Sequence, residues 1–243
     1  MGMIVSWMLV AAAIGAFAVT ALSGCFVIPA LHKLHFGQTI RESGPTWHNK
    51  KQGTPTMGGL CFIFGILVAC GLVYAGFYRY AQDLLGIVQV RAALLALFLA
   101  FGSGFIGFLD DYIKVVKKRN LGLKAKQKML GQIIIAVVTM VIGTQSLGID
   151  TSVWIPVLNL SVNIGAGYYL LLLFVMVGTS NAVNLTDGLD GLASGTVAIA
   201  ASAYAVVCLT MGHQDLAIFC AAIVAACIAF LRFNVHPARV FMG

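Results

Sequence analysis

The chain has 243 residues, of which 60% are hydrophobic and only 9% are charged, and its mean hydropathy is +0.96. This composition excludes a water-soluble domain and is typical of a polytopic membrane protein. The apolar residues form continuous runs, so we expect membrane-spanning helices and exclude a porin-like barrel, in which apolar and polar residues alternate. The formal net charge is +7, and its distribution is more informative than its total.

Seven apolar runs are long enough to span a bilayer as helices. They cover about residues 3–31, 57–78, 92–109, 129–148, 164–180, 192–211 and 216–231. Because no basic stretch precedes the first run and no clear cleavage site follows it, we predict a retained span. The six cysteines lie in or beside these runs without Cys-x-x-Cys spacing, so we interpret them as small apolar side chains. We therefore predict an all-α polytopic membrane protein, with residues 1–243 forming one integral-membrane domain.

Basic residues are divided unevenly between the two sides of these runs. Of the fifteen Lys and Arg, only Arg79 and Arg91 fall on one side, and the other thirteen fall on the opposite side. The positive-inside rule places the basic side in the cytoplasm and the N-terminus outside. On the outer, periplasmic side, residues 150–163 alternate Val, Ile and Leu with other residues. This predicts a small β-hairpin with Trp154 as an interfacial anchor.

Four polar motifs lie on the predicted cytoplasmic side, and the first is residues 48–59. It places Lys50, Lys51, two threonines including Thr56, and three glycines directly before the second run. Lysines are point charges for phosphate, and glycines leave backbone N–H groups free to face it. The alternative is a basic loop held at anionic lipid headgroups.

The second motif, residues 108–114, ends the third run. The adjacent carboxylates of Asp110 and Asp111 predict a divalent cation, a general base, or both, and Lys114 can pair with a carboxylate or meet a phosphate. The alternative is an acidic helix end that only faces water. The basic residues that follow predict first a lipid-facing loop, and second a means of drawing an anionic nucleotide or lipid phosphate to the site: Lys117, Lys118, Arg119, Lys124, Lys126 and Lys128.

The third motif, residues 181–195, separates two apolar runs and contains Asn181, Asn184, Asp187 and Asp190 beside several glycines. The cost of desolvating two carboxylates predicts a metal ion or a polar ligand here. The spacing of Asp187 and Asp190 predicts a helical turn that points both carboxylates the same way. The alternative is a plain polar turn between two helices.

The fourth motif, residues 232–243, follows the seventh run. Asn234 can contact a base edge through its amide, and Phe241 can stack on a base. For His236, a structural and a catalytic role both stay open.

The four motifs together predict a cytoplasm-facing site with carboxylates for Mg²⁺, lysines for phosphates, and an amide and a ring for a base. This chemistry indicates a phosphate-group transferase at the membrane surface. The alternative class is a transporter or lipid-binding membrane protein. That class predicts charged residues in the middle of spans and an internal repeat, and the sequence has neither.

In these motifs the chain resembles the phospho-N-acetylmuramoyl-pentapeptide-transferase family, within the polyprenyl-phosphate N-acetylhexosamine-1-phosphate transferase superfamily. The specific parts are Lys51–Gly59, Asp110–Lys114, Asn181–Ala193 and Phe233–Gly243. The resemblance implies transfer of phospho-MurNAc-pentapeptide from its UDP carrier to undecaprenyl phosphate with Mg²⁺, giving lipid I and UMP. It also implies a homodimer in the bacterial inner membrane, with its active site facing the cytoplasm and no nucleic-acid partner. The rival within the superfamily is a GlcNAc-1-phosphate transferase.

The resemblance also implies residue roles at the matching positions. Catalytic roles fall on Asp110, Asp111 and Asp187, with Asp110 as the proposed base, and Mg²⁺ contacts fall on Asp110, Asp111 and Asn184. Substrate contacts fall on Lys51, Thr56, Lys114, Lys118, Asn181, Asn184, Asp190, Asn234 and Phe241, of which the last two match positions that hold uracil. Family members continue beyond the Phe-Met-Gly that ends this sequence, with the chief magnesium ligand next and three more spans. We therefore expect seven of ten spans here, and a fragment that is inactive alone.

Overall fold

The computed structural model describes residues 2–33, 53–80, 87–117 and 122–243. These residues form seven α-helices and one β-hairpin. In chain order they are α1 Gly2–Lys33, α2 Gly59–Tyr80, α3 Ile87–Val116, α4 Ala125–Leu147, β1 Ser152–Ile155, β2 Leu160–Asn163, α5 Ala166–Thr186, α6 Leu192–Thr210 and α7 Gln214–Asn234. Each of the seven helices is long and apolar enough to cross a membrane, which confirms the predicted all-α polytopic class.

The centre of the helix bundle is α7, which packs against α1, α2, α3 and α6. Small side chains let helix backbones approach closely, and such close packing drives association between membrane helices. Alanines therefore dominate the buried contact between α1, α2 and α7: Ala12, Ala16, Ala69, Ala222 and Ala226.

The remaining helices extend outward from this centre. α4 packs against α3 and α5, and α5 also contacts α6. α5 differs from its neighbours because none of its residues is buried. Burial in the described part of the protein therefore contributes little to holding α5 in place.

Two helices run further than the sequence predicts. The third and fifth spans are expected to end near residues 109 and 180, but α3 continues to Val116 and α5 to Thr186. Their last turns stay helical because the polar side chains there bond to protein partners and do not need water. The fifth and sixth runs left residues 181–191 as their connection, but the connection begins only at Asp187. Asp187 and Asp190 lie in turns, so the helical spacing predicted for them is also wrong.

The hairpin confirms the prediction for residues 150–163. β1 and β2 pair antiparallel, with Trp154 opposite Ser161. Asn159 has a φ of 48° in the turn, and its side-chain oxygen accepts the Trp154 indole N–H at 3.4 Å. Trp154 is 58% exposed, and its role as an interfacial anchor stays a prediction. The side of the membrane on which the hairpin lies stays a prediction.

The last residues of the chain pack against the start of α2. The Phe241 N–H donates to the Pro55 carbonyl at 2.8 Å, and the N–H groups of Gly58 and Gly59 donate to the carbonyls of Phe241 and Met242 at 2.9 and 2.7 Å. The first N–H groups of a helix have no partner within the helix, so this segment supplies acceptors at the N-terminus of α2. The described part of the first motif, residues 53–59, thus forms one unit with the fourth motif.

Candidate functional site

A cavity of about 330 Å³ lies among the helices from α2 to α7. Its body is apolar, with lining residues that include Phe62, Ile66, Phe101, Phe108 and Ile223. Its other end is polar and is lined by Asp111, Lys128, Gln132, Ser180, Asn184, Asp187 and Gly243. Asp111 of the second motif and Asp187 of the third therefore meet at one end of a space that reaches into the apolar part of the bundle, whereas Asp110 and Asp190 are not among the described residues that line it.

Lys114 joins the two adjacent carboxylates of α3. Its Nζ lies 2.7 Å from Asp110 Oδ2 and 2.7 Å from Asp111 Oδ1. The other Asp110 oxygen accepts the Leu123 backbone N–H at 2.8 Å, and the other Asp111 oxygen accepts the Thr56 hydroxyl at 3.2 Å. Asp111 is 3% exposed and lines the cavity. The alternative of an acidic helix end that only faces water is therefore wrong.

Gly243 lies between the carboxylates of the second and third motifs. A Cβ at this position would collide with Asp111 and lie 2.9 Å from the Met57 backbone nitrogen. The Gly243 backbone N–H donates to Asp187. Burial raises the pKa of Asp187 from 3.8 to about 6. The negative charges of Asp111 and Asp190 also raise this pKa, whereas the hydrogen bond from Gly243 lowers it. Because these negative charges repel one another, a cation at this end of the cavity would be stabilised.

A second polar cluster joins the third and fourth motifs. Asp190 Oδ2 lies 2.9 Å from His236 Nδ1 and accepts the Ala238 N–H at 3.3 Å. Asn234 is 1% exposed, and its side chain accepts the Gly191 N–H at 3.0 Å and donates to the Val240 carbonyl at 3.0 Å. These contacts favour a structural role for His236. They hold residues 236–240 against the turn before α6.

Two residues of α4 reach the cavity although the sequence did not single them out as ligands. Lys128 Nζ donates to Asn184 Oδ1 at 3.2 Å. Gln132 is 7% exposed and bonds to both Ser180 and Asn181 of α5. Lys128 and Gln132 are four residues apart, so they lie on one face of α4. This spacing is the sequence feature from which their shared location could have been predicted. The first interpretation of Lys128, as part of a lipid-facing loop, is therefore wrong.

The other predicted site residues stand as follows. Lys51 and Lys118 lie outside the described residues. Thr56 is 1% exposed and directed at Asp111, whereas Phe241 is half-buried and its backbone is held by Pro55 and Gly58. The substrate contacts predicted for these residues, and for Asn181, Asp190 and Asn234, stay predictions.

The polar end of the cavity has the chemistry of a Mg²⁺ site, because its donors are mainly oxygen atoms. The described residues contain no group of three or more His, Cys, Asp or Glu side chains arranged to hold a metal ion. Mg²⁺ is commonly held by one or two carboxylates together with water and substrate phosphates, so the residues present fit it in that manner. Asp111 and Asn184 line the cavity, whereas Asp110 is not among the described lining residues.

Comparison with known proteins agrees with the four motifs. A family model described as Glycosyl transferase family 4 matches residues 93–243, and one described as Phospho-N-acetylmuramoyl-pentapeptide-transferase signature 1 matches residues 51–63. A phospho-N-acetylmuramoyl-pentapeptide-transferase from Geobacillus sp. (strain WCH70) is 50% identical over 235 residues, which are 97% of this chain and 69% of that relative. The chain belongs to the phospho-N-acetylmuramoyl-pentapeptide-transferase family.

A second member of the phospho-N-acetylmuramoyl-pentapeptide-transferase family, from Bacillus subtilis (strain 168), is 49% identical over 227 residues, which are 93% of this chain and 67% of the relative. The family matches include the cavity carboxylates of α3, the turn before α6 and the segment that docks on α2. The bacterial relatives and the seven membrane-capable helices together indicate a multi-pass bacterial membrane protein.

Proposed function

We propose that the protein transfers phospho-MurNAc-pentapeptide from UDP-MurNAc-pentapeptide to undecaprenyl phosphate, giving lipid I and UMP. The observation that carries this proposal is the two-part cavity, whose polar end holds Asp111, Lys128, Asn184 and Asp187 and whose body is apolar. A polyprenyl phosphate needs both parts, because its phosphate must meet the nucleotide while its chain stays out of water. Membership of the family supports the same reaction.

In the proposed reaction, an oxygen of the lipid phosphate attacks the sugar-linked phosphorus of the nucleotide. The bond from that phosphorus to the oxygen bridging it to the uridine phosphate breaks, and UMP leaves with the electron pair. A phosphate nucleophile is already largely ionised near neutral pH, so the reaction does not depend on Asp110 as a base. Lys128, which lines the cavity, would offset phosphate charge, and Lys114 neutralises the carboxylates of Asp110 and Asp111. Asp111 and Asn184 are the residues that would hold Mg²⁺. When bound, the ion supplies positive charge that offsets the charge developing on the phosphates.

The test is to purify the protein from its own cells and to measure product formation with both substrates and Mg²⁺. We expect UMP and lipid I in equal amounts, and loss of both when the metal is chelated. Asp111→Asn is expected to lower turnover about 100-fold, whereas Asp150→Asn, in the loop beside the hairpin, should leave it unchanged. Full turnover by Asp111→Asn would count against this site, and product formed only from UDP-GlcNAc would favour the rival transferase.

The same proposal includes the bacterial inner membrane as the location, an active site on the cytoplasmic face, and a homodimer. Light scattering of the purified protein in detergent tests the homodimer. The expectation that residues 1–243 are inactive alone is tested by applying the UMP assay to that segment.

A further inference from the structure

α5 carries part of the candidate site although apolar burial does little to hold it. Asn184 lies in its last turn and Asp187 follows directly, and both line the cavity. None of the α5 residues is buried. The apolar side chains of α5 can contact lipid in most rotations, so its rotation depends on the polar residues of its last turns, Ser180, Asn181 and Asn184. Specific contacts with the neighbouring helix must therefore set which face carries Asn184 toward the cavity.

Two polar contacts between α4 and α5 can set that rotation. One is the bond from Lys128 to Asn184 at the end of the cavity. The other lies one turn deeper, where Gln132 Oε1 accepts the Asn181 amide at 2.8 Å and Gln132 Nε2 lies 3.2 Å from Ser180 Oγ. The Asn181 amide also donates to the Val177 carbonyl at 2.9 Å, so it is held from within α5 as well.

We propose that Gln132 is a positioning residue for the transfer reaction, setting the rotation of α5 and so the placement of Asn184 and Asp187. This inference rests on the proposed function. Gln132 is suited to the task because its one amide accepts from Asn181 and donates to Ser180, two adjacent residues of α5. A side chain that bonds two neighbouring positions resists rotation of the helix. Gln132 is only 7% exposed, so water competes little for these hydrogen bonds.

The test compares Gln132→Leu, which keeps the size of the side chain and removes both bonds, with Gln145→Leu, an exposed position near the other end of α4. We expect Gln132→Leu to lower kcat about tenfold with less than a twofold change in the KM for the nucleotide. Hydrogen exchange of peptides covering residues 177–187 should rise in Gln132→Leu, and exchange in α6 should not. Gln145→Leu should match the wild type in all three readouts.

Gln132→Glu provides the conservative comparison, because a carboxylate still accepts from Asn181 and from the Ser180 hydroxyl. We expect its kcat and exchange to lie between those of the wild type and Gln132→Leu. If Gln132→Leu fails to fold, Ser180→Ala decides, because it removes one of the two bonds made by Gln132. Wild-type kcat and exchange in the variant tested, or equal losses in Gln145→Leu, would overturn the proposal. Exchange is measured without substrates, so altered exchange in a protein that releases no UMP would support the positioning role and count against the transferase function.

Discussion

Asp111 shows how the site keeps a carboxylate at the boundary of the membrane. It is 3% exposed, and its two oxygens bond to Lys114 and Thr56. Charged side chains in a membrane helix are costly unless they are paired, so these partners are required before any ligand binds. The polar groups of the site are therefore held in place in advance, which limits reorganisation during a reaction.

Asp187 gives a prediction about pH at the residue scale. Its pKa is about 6 in the folded protein and 3.8 without the fold. A raised pKa means that folding favours the protonated form, so its stabilising contribution is complete below pH 3.8 and is lost as pH rises through 6. Without Mg²⁺, we expect Asp187→Asn to raise the thermal midpoint relative to the wild type by a few degrees at pH 7.5 and by less at pH 5.

Thermal unfolding in detergent with a chelator, followed by light scattering, measures both midpoints. The quantity to compare is the difference in thermal midpoint between variant and wild type at each pH. The contributions of other titrating groups cancel in that difference. A difference that is equal at the two pH values, or larger at pH 5, would show that the carboxyl of Asp187 is not shifted upward.

At the scale of elements, the docking of residues 239–243 on the start of α2 depends on glycine. A Cβ at Gly58 would lie 2.7 Å from Val240 Cγ2, 2.8 Å from the Phe241 carbonyl oxygen and 2.9 Å from Phe230 Cε2. Atoms do not approach that closely without repulsion, and one of the three belongs to the backbone. The same carbonyl accepts the Gly58 N–H, so displacing it also weakens that bond.

We therefore expect Gly58→Ala to lower stability by about 1–3 kcal/mol, the usual cost of overpacking. Gly71→Ala is the matched control, because Gly71 lies in α2 and nothing lies within 4 Å of a Cβ there. It should stabilise the protein by about 0.5–1 kcal/mol through helix propensity. Thermal midpoints in detergent test both changes, and equal midpoints for the two variants would contradict the packing described for Gly58.

The helices are the elements that could be predicted, because each is a continuous apolar run with no competing structure available in a bilayer. The ends of α3 and α5 could not be predicted in the same way. Asp110 and Asn184 are polar and suggest that the helix has ended, but Lys114 and Lys128 supply partners that let it continue. Lys114 is a local partner, four residues after Asp110, whereas Lys128 reaches Asn184 from a neighbouring helix, and no local pattern contains that contact.

At the scale of the whole molecule, the contacts across the site place the described parts of all four motifs at one end of the bundle. The hairpin joins α4 to α5 at the end away from the site. This agrees with the distribution of basic residues, which predicts that the motif end faces the cytoplasm. Which side of the membrane the motif end faces is predicted only from the distribution of Lys and Arg.

Chemical labelling tests the predicted orientation. Val157 is 92% exposed in the hairpin, and Leu189 is 59% exposed in the turn before α6. We expect Val157→Cys to react with a membrane-impermeant maleimide in intact wall-stripped cells, and Leu189→Cys to react only after permeabilisation. The signal of the unsubstituted protein, which contains six cysteines, is subtracted. The reverse pattern of labelling would invert the orientation.

The sequence by itself determined the class of protein, the seven spans and the hairpin. These follow from apolar runs, alternation and charge, which are local properties. It also contained the family's motifs, so the proposed chemistry could be predicted before any contact was known.

Only the tertiary structure decided which polar groups bind one another. It placed Asp111 in the cavity and directed Asp110 toward Leu123, and it assigned Asn234 to hold the turn before α6. It also brought Lys128 and Gln132 to the site. These outcomes depend on how α3, α4, α5 and α7 pack together, because a polar side chain in an apolar bundle bonds to whatever partner the packing places within reach.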